Sequence, residues 1–120
     1  MVEDRPHQDG LPLTPVAFEI LLAIGNEERH GYAIMRDIET RTGGILGIHP
    51  GTLYRAIGRL VDAGLLEELE RRPEDGDDQR RRAYFRLTDR GRRVAAAEAR
   101  RLEDQVAAAR RKRFLRGEAG

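Results

Sequence analysis

Between Pro50 and Leu60 the chain reads PGTLYRAIGRL, and this stretch carries the residues best suited to recognition chemistry. Arg55 and Arg59 are four residues apart, about one turn of a helix. A guanidinium is planar and carries several donors, which suits it to phosphate oxygens and to the O6 and N7 edge of guanine. Thr52 offers a hydroxyl for a phosphate and a methyl for a thymine, and Tyr54 stands beside them. Gly51 permits close backbone approach, and the unpaired N–H groups of a helix start favour an anion. Further along, Arg80, Arg81 and Arg82 form a second cationic group that can neutralise phosphates or enter a minor groove.

Each of these signals has a plainer explanation. On an isolated helix, Tyr54 would pack between helices and the two arginines would be solvated. The arginine run could pair with Glu67, Glu68 and Glu70 on a facing strand. Lys112 is the only lysine, and such a bias follows from a GC-rich genome as readily as from selection for guanidinium chemistry. Catalysis has less support. Without cysteine there is no thiol nucleophile or thiolate metal site, and His7, His30 and His49 are far apart in sequence. No phosphate loop, nucleotide fingerprint or zinc-protease pair is present, so neither enzymatic activity nor a cofactor is expected.

The elements that must position these residues follow from periodicity. Thr14 and Pro15 open a helix in which Val16, Ile20, Leu21, Ala23 and Ile24 fill much of the circumference, so it belongs at the centre of the domain. A second helix runs from about Gly31 to Arg41, with Tyr32, Ile34, Met35 and Ile38 as its apolar line and Arg36, Asp37 and Glu39 outward. Gly43 and Gly44 stop it. A third helix opens at His49-Pro50-Gly51, buries Leu53, Ile57, Leu60 and Val61, and ends at Ala63-Gly64. Residues 65–72 and 80–87 read as the two strands of a hairpin. In the second, Ala83, Phe85 and Leu87 share one face and Arg82, Tyr84 and Arg86 the other. Thr88 caps a last long helix reaching about Leu115.

Three helices followed by a hairpin is the winged helix-turn-helix arrangement. The expected class is therefore mainly α (α+β), a winged helix-turn-helix with a long C-terminal dimerisation helix. Residues 1–12 read as a flexible tail, 13–87 as the winged domain, 88–116 as the dimerisation helix and 117–120 as a short tail. With 120 residues there is chain for one domain. The longest apolar run, Ile20 to Ile24, is too short to span a bilayer, and the expected location is cytoplasmic.

The combination of His30-Gly31-Tyr32, PGTLY at Pro50 to Tyr54, Gly64-Leu65-Leu66 and YFRLTDRG from Tyr84 to Gly91 resembles the PadR family of bacterial transcriptional regulators. The resemblance spans roughly residues 12–115 and is closest to compact members that lack a larger C-terminal domain. It implies a homodimer binding double-stranded DNA in a sequence-specific way, usually as a repressor. Its DNA contacts would fall on Gly51, Thr52, Tyr54, Arg55, Arg59, Arg80, Arg81 and Arg82. His49 replaces the small polar cap common in that family, which weakens the expected capping bond, and Ala83 replaces a frequent basic residue. Glu74, Asp75, Asp77 and Asp78 make the wing tip acidic, so the arginine run, not the tip, should meet phosphate.

In the last helix Ala95, Ala99, Leu102, Val106 and Ala109 follow heptad spacing, with Phe114 as a further apolar anchor. This stripe is the expected dimer interface, and packing on the first helix of the same chain is the alternative. Relatives that bind flat effectors between tryptophan-bearing helices set a rival reading, a small-molecule-gated sensor. This chain has no tryptophan, which argues against that route. A winged-helix module that binds protein instead of DNA is the other rival. The net charge of +1 taken alone favours it, but the placement of charge does not. Acidic residues gather in the tail, the first wing strand and the wing tip, whereas residues 86–120 carry a net +6.

Overall fold

The computed structural model describes residues 12–71 and 82–116. In chain order these form α1 (Pro15–Ile24), β1 (Arg29–His30), α2 (Gly31–Thr42), α3 (Pro50–Asp62), β2 (Leu66–Arg71), β3 (Arg82–Leu87) and α4 (Asp89–Arg111). The expected N-terminal tail, apart from Pro12, and the wing tip with Glu74, Asp75, Asp77 and Asp78 lie outside the described residues, as do Arg80 and Arg81. The architecture is the winged helix-turn-helix expected from the sequence.

Each helix begins on a side-chain cap that satisfies an N–H left over at its first turn. The Ala17 N–H donates to Thr14 Oγ1 at 3.1 Å, and the Gly91 N–H to Thr88 Oγ1 at 2.9 Å. Two histidines cap the helices between them: the Ala33 N–H donates to His30 Nδ1 at 3.2 Å and the Gly51 N–H to His49 Nδ1 at 3.3 Å. The His49 bond is made, and it is the longest of the four. An imidazole nitrogen serves less compactly than a hydroxyl.

α1 is central. Ile20, Leu21, Ala23 and Ile24 are buried, and the helix touches α2, α3, α4 and β3. Ile34 and Ile38 of α2 and Leu53, Ala56, Ile57 and Leu60 of α3 close over it, with Phe85, Leu87 and Val94 from below. Each large apolar side chain buried in this way contributes about 1.5–3 kcal/mol. Tyr32 does not join this core, contrary to the sequence reading; it is 57% exposed. It lies about 200° round the helix from Ile34 at 3.6 residues per turn, so the Ile34–Ile38 line faces inward and Tyr32 faces out. Val61 is only partly buried, and Ala56 takes its place in the core.

β2 and β3 pair as the expected hairpin, and the two-residue β1, which the sequence did not announce, adds a third antiparallel strand in the order β1-β3-β2. β1 has only two residues, Arg29 paired with Phe85 and His30 with Tyr84, too few to show a period. The β2–β3 register sets Glu67 opposite Arg86, Glu68 opposite Phe85, Glu70 opposite Ala83 and Arg71 opposite Arg82. Glu67 binds Arg86, with Nε 3.1 Å from Oε1; Arg80 and Arg81, and with them the suggested pairing of the arginine run with Glu67, Glu68 and Glu70, lie outside the described residues.

α4 ends at Arg111, short of the expected Leu115. Arg113 takes a left-handed conformation (φ 69°), and the Phe114 N–H turns back to the Ala109 carbonyl at 2.9 Å, closing the helix with a Schellman motif. Phe114 and Leu115 thus lie beyond the helix, Phe114 being 79% exposed. At the other end Gly91 packs so closely on the Leu65 backbone that a Cβ there would run into the Leu65 carbonyl.

Candidate nucleic-acid interface

α3 starts after a turn of three glycines with positive φ, Gly43, Gly44 and Gly47, which swings the chain between the two helices of the motif. Because Leu53, Ala56, Ile57 and Leu60 face the core, the opposite side of α3 must carry Thr52, Tyr54, Arg55, Gly58 and Arg59, and all five are exposed. Arg55 reaches back over the first turn, its Nη1 lying 3.6 Å from where a Cβ on Gly51 would sit. Nothing lies within 4 Å of a Cβ placed on Gly58, so this face is low and open.

Tyr54 is half exposed, and its ring rests on Gly31, the first residue of α2; a Cβ on Gly31 would overlap the ring. His30 stacks on Tyr32 (centroids 6.5 Å apart) and meets the wing residue Tyr84 edge-on at 5.3 Å. Three segments separated in sequence, His30-Gly31-Tyr32, the start of α3 and the wing strand β3, therefore converge on one spot. One side of the Tyr54 ring thus packs on the start of α2, and half of the residue is exposed.

The arginines divide by what surrounds them. Arg41 bonds Glu19 (2.7 Å) and Asp37 (2.8 Å), Arg86 bonds Glu67 and lies 3.6 Å from Glu28, Arg29 meets Glu27 at 3.0 Å, and Arg101 meets Glu98 at 2.8 Å. Arg36, Arg55 and Arg59 form no ion pair with a described residue, as is also true of Arg93 and Arg100 on α4; Arg36, Arg55 and Arg59 are the ones on the helix-turn-helix. These three share the surface of α2 and α3. Arg59 also lines an open cleft of about 380 Å³ with Leu13, Ala17, Leu60 and Arg90, where α1 and α3 meet the root of α4. Arg82 opens β3 opposite Arg71.

The model for the transcriptional regulator PadR-like family matches residues 20–97, well over half of the chain. The chain belongs to that family. It is a family of transcriptional regulators and not of enzymes. None of the curated proteins matches the sequence. Among solved structures the fold is similar to a PadR family transcription regulator from Clostridium difficile, with TM-score 0.69 and 19% identity over 80% of this chain and 95% of that one. It is similar as well to a transcriptional regulator from Clostridium thermocellum, with TM-score 0.66 and 25% identity over 80% and 87% of the two chains. Bacillus subtilis PadR, solved in complex with operator DNA, superposes with TM-score 0.62 and 19% identity over 72% of this PadR-like chain. The matched part is 47% of the Bacillus subtilis protein.

Two features of this PadR-like chain escaped the sequence reading. Tyr32 and Arg36 belong to the exposed surface beside α3: the Arg36 guanidinium lies 5.7 Å from the centre of the Tyr32 ring, and its Nη1 donates to the Tyr32 hydroxyl at 3.3 Å. Their spacing of four on one helix was the available signal. Glu98 was also passed over, although it sits within the α4 stripe. It is 2% exposed and accepts from Arg101 Nε and Nη2 at 2.9 and 2.8 Å. The Arg101 guanidinium holds its carboxyl below the usual carboxylate range, with help from the Leu13 N–H, while burial opposes that shift.

Of the proposed dimer residues, Ala95, Leu102 and Ala109 are half-buried and Ala99, Val106 and Phe114 are exposed. Within α4 only Gly91, Val94 and Glu98 are buried, so the second half of the helix extends past its own domain. No helix is long and apolar enough to cross a membrane, and no cluster of metal-ligating side chains is present among the described residues.

Proposed function

We propose that this chain is a homodimeric repressor that binds a pseudo-palindromic duplex operator through α3. The observation that carries the reading is the exposed side of α3, where Thr52, Tyr54 and Arg55 stand together and Arg55 has no carboxylate partner among the described residues. A helix presented from a winged scaffold inserts its N-terminal residues into the major groove, and here those residues are the ones able to read bases. Arg55 donates to a guanine edge, Thr52 contacts a thymine methyl or a phosphate, and Tyr54 is steered by its seat on Gly31. Gly51, whose own N–H is taken by His49 Nδ1, permits close backbone approach, and Arg59 holds a phosphate, while Arg80, Arg81 and Arg82 do so from the wing. The operator complex of the similar Bacillus subtilis protein supports duplex DNA as the partner class.

Dimerisation follows from α4. Ala95, Ala99, Leu102, Val106 and Ala109 give α4 an apolar line that its own domain covers only in part, and Phe114 stands exposed just past the helix end. Two copies joined there present two α3 helices, whose half-sites would lie about 34 Å apart, one turn of duplex.

The test is selection of genomic fragments by the purified protein, with its mass in solution measured alongside. An enriched inverted repeat bound by two chains is the expected result. Failure to bind either random or genomic duplexes at low salt would sink the DNA reading in favour of a protein-binding module. A dimer that survives removal of residues 95–115 would sink the α4 assignment.

A further inference from the structure

We propose that Gly58 is the point at which the duplex comes closest to α3, and that its missing side chain sets how deeply the helix seats in the major groove. This rests on the DNA reading above and adds to it a specificity-determining residue that acts by having no side chain.

The other glycines answer to the chain itself. Of the nine among the described residues, five have positive φ, where other residues are strained. Gly31 lies against the Tyr54 ring and Gly91 against the Leu65 backbone, and Gly51 stands in the first turn of α3, next to Pro50. Gly58 has none of these reasons. It lies in the interior of the 13-residue α3, its φ is not positive, and a Cβ on it would meet nothing within 4 Å. Glycine is the poorest helix former after proline, because it gives up the most backbone freedom and exposes its backbone to water. The helix is therefore weakened at its middle by a residue that nothing within the described chain requires.

The place of Gly58 on α3 shows what the weakness serves. Successive residues of a helix are about 100° apart, so Gly51, Arg55, Gly58 and Asp62 fall within about 60° of one another. That line runs opposite the buried Leu53, Ala56, Ile57 and Leu60, and it is the line that faces the floor of a groove. Arg55 lies one turn before Gly58 and Arg59 beside it, both exposed and without a carboxylate partner among the described residues. A methyl at position 58 would stand out by one C–C bond, ~1.5 Å, and hold α3 that much further from the bases. The bonds from Arg55 to a guanine edge span about 2.9 Å and weaken beyond about 3.2 Å, so the lift breaks both together. Non-specific binding is held by phosphates and does not need that depth.

The experiment compares full-length wild type with Gly58→Ala, Gly58→Leu and Arg55→Ala by thermal melting, and by binding to a selected operator fragment and a random duplex across a salt series. Alanine and leucine are both strong helix formers, so each is expected to raise the melting temperature by about 4 °C. Operator affinity is expected to fall about tenfold with alanine and further with leucine. Affinity for the random duplex and the salt slope should stay within about twofold of wild type, since no charge is lost. Weaker binding by a more stable protein cannot come from a damaged fold. If Gly58→Ala binds the operator as tightly as wild type while Arg55→Ala loses its preference for it, the close approach is wrong and the DNA reading stands. If Gly58→Ala melts below wild type, the glycine serves the fold and the proposal is likewise overturned. If wild type binds neither duplex at low salt, both readings fall.

Discussion

The root of α4 and the exposed side of α3 use the same residue types to opposite ends. At the root, polar groups close on one another: Thr88 Oγ1 accepts from the Gly91 N–H and donates to the Gly64 carbonyl at 2.6 Å, and Glu98 takes two bonds from Arg101. On α3, Thr52, Arg55 and Arg59 are exposed, and the arginines have no acidic partner among the described residues. A polar group satisfied within the chain contributes to the fold, because losing its partner leaves a buried donor or acceptor stranded. A polar group left to solvent costs the fold almost nothing to lose and is available to a partner. The comparison also explains a net charge of +1 in a protein read as a DNA binder. Many carboxylates are consumed by arginines on α2, α4 and the sheet, so the sum hides the cations that remain.

The harshest test of the α4 root is Gly91→Ala. The added methyl would run into the Leu65 carbonyl, which already accepts from the Thr88 N–H at 3.1 Å. Relieving the overlap separates α4 from the start of β2 and lengthens that bond. Overpacking against backbone costs about 3 kcal/mol, more than the roughly 1 kcal/mol that alanine gains over glycine inside a helix. Urea unfolding should show the loss. A variant as stable as wild type would show that the close approach is not a constraint.

Glu98→Gln probes the same region more gently. Glutamine keeps the shape but removes the charge that Arg101 binds, and the expected loss is about 2 kcal/mol. The pH dependence carries the sign. The folded carboxyl titrates below its ordinary value of 4.5, so its contribution is complete above that pH and fades as acidification passes through the folded value. Wild-type stability should therefore fall on moving from neutral pH to about pH 3, with a shallower fall in Glu98→Gln. Parallel curves would show that the Arg101 pair adds nothing.

What the sequence made legible follows from how local each cause is. Thr14-Pro15, His49-Pro50 and Thr88 announce helix starts through bonds spanning two or three residues, and the structure places α1, α3 and α4 there. The exposed face of α3 followed because its buried stripe is regular. Tyr32 was misread because it stands three residues before Met35 and six before Ile38, close enough to their line to pass for core; only the packing of α1 on Ile34 and Ile38 decides its side. β1 is two residues long, and its pairing with β3 spans more than fifty residues of chain. Glu98 was invisible for a related reason: the groups that make its burial tolerable include the Leu13 N–H, brought in by the tertiary fold.

The smallest effects give the sharpest contrast, through a matched pair of arginines. Arg55→Ala and Arg86→Gln each remove one exposed guanidinium, and Arg86 is already bound to Glu67 at 3.1 Å. Neither should change stability by more than about 1 kcal/mol, since the Arg86 pair is open to solvent and Arg55 has no pair to break. Their effects on binding should differ. On the proposed function, losing Arg55 would remove a bidentate base contact worth about 1–3 kcal/mol of discrimination, a roughly tenfold to hundredfold loss at the selected operator and little on random duplex. Losing Arg86 should leave operator affinity and salt slope nearly as they were, because that charge is already answered by a carboxylate of the chain itself. Equal losses from the two substitutions would mean that binding responds to total positive charge, and that the internal pairing of arginines does not separate structural from recognition residues.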